Sequence, residues 1–453
     1  MSSQPHIDIN AHIDAIPGRS IPKNFKMAGI AAMAIGVLGL GFGFATGETA
    51  WTWGSFLVAL VYILGLTQGG VMYAVIMTLT KAHWGRPLKR IAEAFGLFIP
   101  VAYVLLVLFL LLGTGIYPWN PDTILEIGPV DLKPHSEFAW SAKPFWLSKW
   151  VFIGRQMLVV GFMFLLSLLY LRNSLKPDLI AAKARIGDKA PGWWNLITGS
   201  ETDVQKACDN GEKNQQILGV LLAFTYAFGF SFIAYDLMMS LSPWWFANMF
   251  GAWTFMSSIW ITFAALGIYG LAGRDWLGIR SFVTRTVTHD LGKLCLALCM
   301  FWAYTTFAQL LPIWYANMPE ETDFLLVRLH LPQWNWLAQV VGVMCFVMPF
   351  TVLASRGIKK MKWPFIAICA VIMTGIFLER TLVVMPSIHF GDTFPTMNFL
   401  LISIPTFIGF LGLFFTYVTW VLSNMPPVGL TDARLEVHPW DVHIHSADDA
   451  HHG

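Results

Sequence analysis

Charged residues are scarce in this sequence. Asp, Glu, Lys and Arg together make up 12% of its 453 residues, whereas 56% are hydrophobic. A soluble domain typically carries about 25% charged residues, so the chain has roughly half the charge that a water-facing surface needs. Apolar runs long enough to cross a membrane recur between Met27 and Asn424. The composition therefore argues against a soluble enzyme or a nucleic-acid-binding protein and predicts an all-α polytopic membrane protein.

Clustered metal ligands are missing as well. The five cysteines form no CxxC pair, and four of them lie inside apolar segments. A cysteine-ligated iron–sulfur cluster or a structural zinc needs four ligands at clustered spacing. None of the 12 histidines lies deep in an apolar segment, which argues against a pair of axial haem ligands within the bundle. We therefore expect no bound metal. We interpret the His-rich C-terminal end as a solvated tail, and metal binding by that tail is the alternative.

Ten apolar segments reach the length of about 20 residues that a spanning helix requires. Their predicted bounds are 27–46, 54–80, 90–116, 149–171, 215–241, 250–273, 291–313, 335–355, 363–386 and 397–423. Residues 27–423 then form the membrane domain, between an N-terminal tail (1–26) and a C-terminal tail (424–453). Because the first 26 residues contain no cleavable signal pattern, we expect the first span to be retained.

The positions of Lys and Arg predict the orientation, since these residues accumulate in cytoplasmic loops. Of the 29 basic residues, 23 lie in one alternating set of segments and only four in the other set. The richer set consists of the N-terminal tail, 81–90, 172–213, 274–293, 356–362 and the C-terminal tail. Both termini are therefore predicted to be cytoplasmic.

Four ionisable residues lie inside the predicted spans at a similar depth. Arg155, Asp236, Glu379 and Arg380 are each expected about 8–11 Å from the outer end of their span, at 1.5 Å per residue. Charges inside a span are costly and usually face the protein interior. We interpret these four as an outer charged layer for proton transfer or for binding a polar headgroup, since a positioned carboxylate is a competent base. A set of purely structural ion pairs is the alternative. Candidate contacts for a quinone headgroup at this depth are Tyr235, Tyr304 and Gln309.

Three further ionisable residues lie at inner span ends. Glu93 follows Lys89 and Arg90 in the third span, and His289 and Asp290 precede the seventh. The simpler interpretation is that Asp290 caps a helix and Glu93 forms an ion pair with a nearby base. The alternative is a route by which protons enter from the inner side.

Several stretches resemble a known family. The most specific are YDLMMSLSPWWFANMFG (235–251), HDLGKLCLALCMFWAYTTFAQLLPIWYANMPEET (289–322) and HWGRPLKRIAEAFGLFIP (83–100). PFWLSKWVFIGRQ (144–156) and RNSLKPD (172–178) add to them. The chain resembles the NrfD/PsrC-like family of quinone-interacting membrane proteins, and within it the F-type membrane subunits of bacterial alternative complex III. The stretch around Glu379 and Arg380 departs most from the family pattern.

The resemblance implies two four-helix bundles with two peripheral helices, in the bacterial inner membrane. It implies a subunit of a quinol:cytochrome c oxidoreductase that interacts with quinone or menaquinone, conducts protons, or does both. The expected partners are a sister NrfD-like subunit, an iron–sulfur subunit and c-type cytochrome subunits, which hold the clusters and haems, together with lipids. Asp236, His289, Asp290 and Glu379 fall in or near the family motifs. Two other hypotheses stay open: a secondary transporter, and a structural anchor for peripheral redox subunits.

Overall fold

A computed structural model describes residues 13–126, 143–432 and 435 of the chain. Over these residues the protein is helical and contains no β-strand. Within these described ranges, ten helices are long and apolar enough to cross a membrane, which confirms the predicted number of spans. They are α1 (Lys23–Ala45), α2 (Thr49–Leu79), α3 (Arg86–Leu112), α4 (Lys149–Lys189), α5 (Val204–Leu241), α6 (Phe250–Leu277), α7 (Arg285–Ala316), α8 (Pro332–Ala354), α9 (Lys362–Ser387) and α10 (Thr396–Ser423).

The largest differences from the predicted bounds occur at the inner ends of α4 and α5. Helix α4 continues to Lys189, although its apolar segment ends near residue 171, and α5 begins at Val204, although its apolar segment begins near 215. Hydropathy marks only the part of a helix that lies within the membrane, so it does not reveal a polar extension beyond the membrane. Much of the segment that was predicted to be an inner loop is therefore helical.

The helices pack as two bundles of four, as the resemblance implied. One bundle comprises α2, α3, α4 and α5, and the other comprises α6, α7, α8 and α9. Helices α2 and α6 pack against each other and join the bundles, while α1 packs against α10 beside them. A methyl group added to Gly36 of α1 would lie 2.5 Å from the Cα atom of Gly409 of α10. Two glycines are needed at this crossing because the backbones themselves are in contact.

Contacts between loops support the alternating order of the spans. At one end of the bundles, ion pairs join Asp14 to Arg185 at 2.6 Å and Arg86 to Asp432 at 2.7 Å. At the other end, Lys149 pairs with Asp122 at 2.7 Å. Each pair joins two segments that the distribution of basic residues assigns to the same side. We call the first end inner and the second end outer.

The C-terminal tail starts with a packed segment. Residues 425–429 are buried against the inner end of the first bundle, and Thr431 and Asp432 contact side chains there. The His-rich part of the tail lies outside the described residues.

Candidate functional site

Asp236 is the centre of the first outer group, which we call the Asp236 cluster. It comprises Asp236 on α5, Arg155 and Gln156 on α4, and Trp146 on the short helix Lys143–Trp146. The Asp236 carboxylate accepts hydrogen bonds from Arg155 Nε at 2.8 Å, Gln156 Nε2 at 2.6 Å and Trp146 Nε1 at 3.3 Å. The Arg155 guanidinium also lies over the Trp146 ring, 3.8 Å from its centroid. The aspartate is 1% exposed, so its charge is balanced by this shell rather than by water.

A local irregularity of α5 positions Asp236. Residues Ile233–Met238 form one π-helical turn, which is followed by a 3₁₀ turn. A π turn widens the helix, and such turns are frequent at functional sites. The Ser240 hydroxyl donates to the backbone carbonyl of Asp236 at the junction of these two turns. The turn holds Asp236 toward α4.

Two polar atoms of the Asp236 cluster still have unused hydrogen-bonding capacity. Arg155 Nη2 and Gln156 Oε1 are both buried, and neither has a hydrogen-bond partner among the described residues. A buried polar group without a partner is costly, so native proteins usually satisfy it with protein, water or a ligand. The cluster therefore offers one donor and one acceptor to a further polar group.

Glu379 and Arg380 of α9 form the second group, the Glu379 cluster. Arg380 Nη1 donates to Glu379 Oε2 at 2.8 Å, and Trp302 Nε1 of α7 donates to Glu379 Oε1 at 3.2 Å. The second Arg380 nitrogen, Nη2, donates to Ser257 Oγ of α6 at 2.5 Å. Both charged side chains are at most 3% exposed. This buried ion pair joins three helices of the second bundle.

The structure thus divides the predicted outer charged layer into two clusters, one in each bundle. Among the described residues, no hydrogen bond or ion pair joins one cluster to the other. The three predicted headgroup contacts are elsewhere. Tyr304 is 63% exposed on the outside of α7, Gln309 donates to the Thr305 carbonyl of its own helix, and Tyr235 donates to the Asn248 carbonyl. An aromatic residue that does contact one of these clusters is Trp302, which donates to Glu379 and which the sequence did not single out.

A cavity of about 580 Å³ lies at the outer ends of α5 and α9, which carry Asp236 and Glu379; we call it the outer cavity. The short helix Pro319–Leu329, between α7 and α8, forms one wall. Four aromatic side chains contribute to the lining, and one of them, Phe324, is stacked on Trp245 with 3.6 Å between ring centroids. The polar lining includes Ser242 and Ser387, whose hydroxyls are 2.9 Å apart. The cavity therefore combines flat apolar walls with a few polar groups, as small-molecule sites do.

Two charged residues, Asp323 and Arg328, line this cavity, and sequence reasoning singled out neither as a site residue. Arg328 is 5% exposed and lies over the Phe324 ring at 3.4 Å, and its Nη2 donates to the Val383 carbonyl and to Ser387 Oγ, both at 2.6 Å. Val383 lies one turn beyond Glu379 in α9. Arg328 Nε has no hydrogen-bond partner, and no carboxylate lies within 4.0 Å of the guanidinium in the part of the chain that the structure describes.

Burial lowers the pKa of the Arg328 guanidinium well below its usual range. Desolvation disfavours the charged form, and no described acid compensates for it. A ligand oxygen that accepted a hydrogen bond from Arg328 would offset part of this cost. In the sequence, Arg328 is one of only four basic residues assigned to outer loops. That rarity could have marked it as a candidate site residue.

Glu93 belongs to a buried network at the inner end of the first bundle, the inner cluster. It is fully buried and forms ion pairs with Arg90 and, at 3.8 Å, with Lys89, as the simpler sequence interpretation proposed. Arg90 also binds Asp178 of α4 at 2.5 Å. Asp178 in turn accepts hydrogen bonds from the backbone N–H and the hydroxyl of Thr431 at 2.9 and 2.6 Å. The inner cluster thus fixes the C-terminal segment to α3 and α4.

His289 and Asp290 lie apart from this network. They contact each other at 3.4 Å, and Asp290 pairs with Lys293 at 2.9 Å. The cap of α7 is Thr284, whose hydroxyl accepts from the Val287 N–H, so the predicted capping role of Asp290 is wrong. Glu93 and the His289–Asp290 pair, which were predicted as one possible inner route for protons, therefore lie at separate sites.

The fold and these clusters define an all-α integral membrane protein with buried ion pairs near the outer ends of its spanning helices. The described residues contain no group of three or more His, Cys, Asp or Glu side chains placed to hold a metal ion. Neither a protein-family model nor a curated protein matches the chain.

Proposed function

We propose that this chain is the F-type membrane subunit of a bacterial alternative complex III, a quinol:electron-acceptor oxidoreductase. In this proposal the chain binds the quinol headgroup in the outer cavity and takes part in proton transfer. The electrons pass to iron–sulfur clusters and haems held by partner subunits: a sister NrfD-like subunit, an iron–sulfur subunit and c-type cytochromes.

The observation that carries the proposal is the outer cavity with its buried arginine. A quinol ring is flat and apolar and has two oxygens that form hydrogen bonds, so it fits between aromatic walls beside Arg328, Ser242 and Ser387. A guanidinium donates in a fixed plane and stacks on rings, which suits this ligand better than an ammonium does. The cavity walls continue into the two helices that carry Asp236 and Glu379.

Oxidation of a quinol to a quinone releases two electrons and two protons. Asp236 and Glu379 are the buried carboxylates on the membrane side of the cavity walls, which makes them the candidate proton acceptors. Each of these two carboxylates accepts a hydrogen bond from an arginine, which stabilises its negative charge before a proton arrives. Arg155 and Arg380 are positioning residues in this scheme, since they hold the carboxylates through direct hydrogen bonds.

A series of buried polar groups supports proton conduction from the inner side. Residues 167, 170, 174 and 178 lie on one face of α4, since they are three or four positions apart. Ser174 donates to Glu93, the Tyr170 and Thr78 hydroxyls are 2.7 Å apart, and Gln68 Nε2 donates to Ser167 Oγ at 2.8 Å. The series runs from the inner cluster to the middle of the bundle. Apolar Val160 and Met163 separate it from Gln156 on the same helix.

Photoaffinity labelling of the purified complex tests the proposal. We expect an azido-quinone to label segments 241–245, 324–328 or 386–390, and excess menaquinol to prevent the labelling. The substitution Arg328→Met removes a charged donor, which is typically worth about 1.5–3 kcal/mol, so we expect the KM for quinol to rise about tenfold or more. Arg356→Met, at an exposed position on the inner side, is the matched control. Labelling confined to other subunits, with an unchanged KM in Arg328→Met, would overturn the assignment of quinol to this cavity.

A further inference from the structure

A second cavity, of about 410 Å³, lies at the inner ends of α6, α7 and α9. Four basic side chains line it: Arg274, Arg285, Lys360 and Lys362. The hydroxyls of Thr284 and Thr288 also contribute to the lining, and none of the described lining residues is acidic. We call this site the basic cavity. Four positive charges around one space of this size create a local field that attracts an anion.

The backbone adds to the same field. Helices α7 and α9 begin at Arg285 and Lys362, so the N-termini of two long helices meet at the basic cavity. A helix N-terminus carries a partial positive charge and presents backbone N–H groups to an anion. Arg274 Nε is buried without a hydrogen-bond partner among the described residues, and its ion pair with Asp275 is long, at 3.9 Å. The site therefore has a donor available for an incoming oxygen.

Exposed apolar side chains place the basic cavity at the membrane surface. Met361 and Trp363, beside Lys362 at the start of α9, are 57% and 73% exposed. Lys362 Nζ lies 5.4 Å from the centroid of the Trp363 ring. Tryptophan at the end of a spanning helix is typical of the headgroup region of a bilayer. A ligand in this cavity can thus hold its charged part among the basic side chains and its apolar part along the exposed face of α9.

We infer that the basic cavity binds the headgroup of an anionic phospholipid of the inner leaflet. Basic pockets between spanning helices on the cytoplasmic side bind such headgroups, and a lipid with two phosphates makes the fullest use of four cations. Cardiolipin is the phospholipid with that chemistry. A free phosphate would use the charges but not the exposed Met361 and Trp363. The inference does not depend on the proposed redox function.

Native mass spectrometry of the delipidated full-length protein, purified together with any subunits that accompany it, tests the inference. The probes are cardiolipin, phosphatidylglycerol, phosphatidylcholine and inorganic phosphate, each added separately. The cavity variant carries Arg274→Gln, Lys360→Gln and Lys362→Gln. The control variant carries Lys189→Gln, Lys206→Gln and Lys213→Gln, which remove the same charge from exposed inner positions. A third variant, with Arg274→Lys, Lys360→Arg and Lys362→Arg, keeps the charges and shows whether the substitutions themselves disturb folding.

We expect the wild-type protein to retain cardiolipin most strongly and phosphatidylglycerol next, without measurable binding of phosphatidylcholine. In the cavity variant, cardiolipin binding should weaken at least about tenfold, while the control and charge-preserving variants stay near wild type. Equal cardiolipin binding by the cavity and control variants would overturn the inference. So would binding of inorganic phosphate as strong as that of cardiolipin, since the site would then take a soluble anion.

Discussion

Replacement of Asp236 by Asn is expected to lower quinol-dependent electron transfer about 100-fold per assembled complex. The substitution keeps the shape of the side chain but removes the base to which the proposed function assigns the proton, and general acid–base catalysis typically contributes about 10²–10⁴-fold. Proton release on the outer side should fall in parallel. The measurement is cytochrome c reduction by a menaquinol analogue, normalised to the haem content of the purified complex.

Two matched variants distinguish proton transfer from a structural role for Asp236. Asp122→Asn removes a carboxylate that is also on the outer side and is also paired with a base, Lys149, but whose side chain is 71% exposed. It should leave turnover unchanged. Asp236→Glu restores the titratable group and should recover part of the activity. If Asp236→Asn assembles normally and turns over at the wild-type rate, Asp236 is not the proton acceptor.

Replacement of Arg90 by Met is expected to destabilise the protein more than any single change at its surface. Arg90 lies between the buried carboxylates of Glu93 and Asp178, which are at most 1% exposed. Removing one partner of a buried ion pair typically costs about 3–5 kcal/mol, because the remaining charges stay buried without compensation. We expect a lower free energy of unfolding, measured by chemical denaturation in detergent, and release of the C-terminal segment from Asp178.

The control for this prediction is Arg185→Met. Arg185 also binds an aspartate, Asp14, but both side chains are more than 40% exposed, so water replaces the lost interaction and little change is expected. A compensating variant shows whether the loss of stability comes from the uncompensated buried charges. Adding Glu93→Gln and Asp178→Asn to Arg90→Met removes the uncompensated charges and should recover part of the lost stability. If Arg90→Met and Arg185→Met destabilise the protein equally, the inner cluster does not stabilise the fold in this way.

The spanning helices could be predicted because lipid imposes a long apolar run on every helix that crosses it. The ten spans were predicted for this reason, and their number is confirmed among the described residues. The polar ends of α4 and α5 were not predicted, because outside the bilayer a helix needs no apolar run. The pairing of Glu93 with Lys89 and Arg90 was predictable as well, since residues three or four apart on a helix are neighbours.

The partners of the buried charges were harder to predict because they depend on the packing of distant segments. Asp178 lies in a stretch that reads as a polar loop, and its contact with Thr431 spans 253 positions in the chain. Arg328 looks like an ordinary outer-loop base, since nothing in the sequence shows that its short helix lies across the outer ends of α5 and α9. The prediction assigned four charged residues to one layer because they lie at a similar distance from the outer ends of their spans. That distance does not specify which bundle each side chain faces. The two separate clusters result from that packing.

Isolation of the chain with its native partners shows whether it is a subunit of a quinol-oxidising complex. A tagged copy, purified from native membranes in a mild detergent, should bring with it an iron–sulfur subunit, c-type haem subunits and a sister membrane subunit. The preparation should reduce an acceptor at the expense of quinol. Purification of the chain as a stable species without haem, iron–sulfur clusters or quinol oxidation activity would rule out the proposed function and favour a stand-alone carrier.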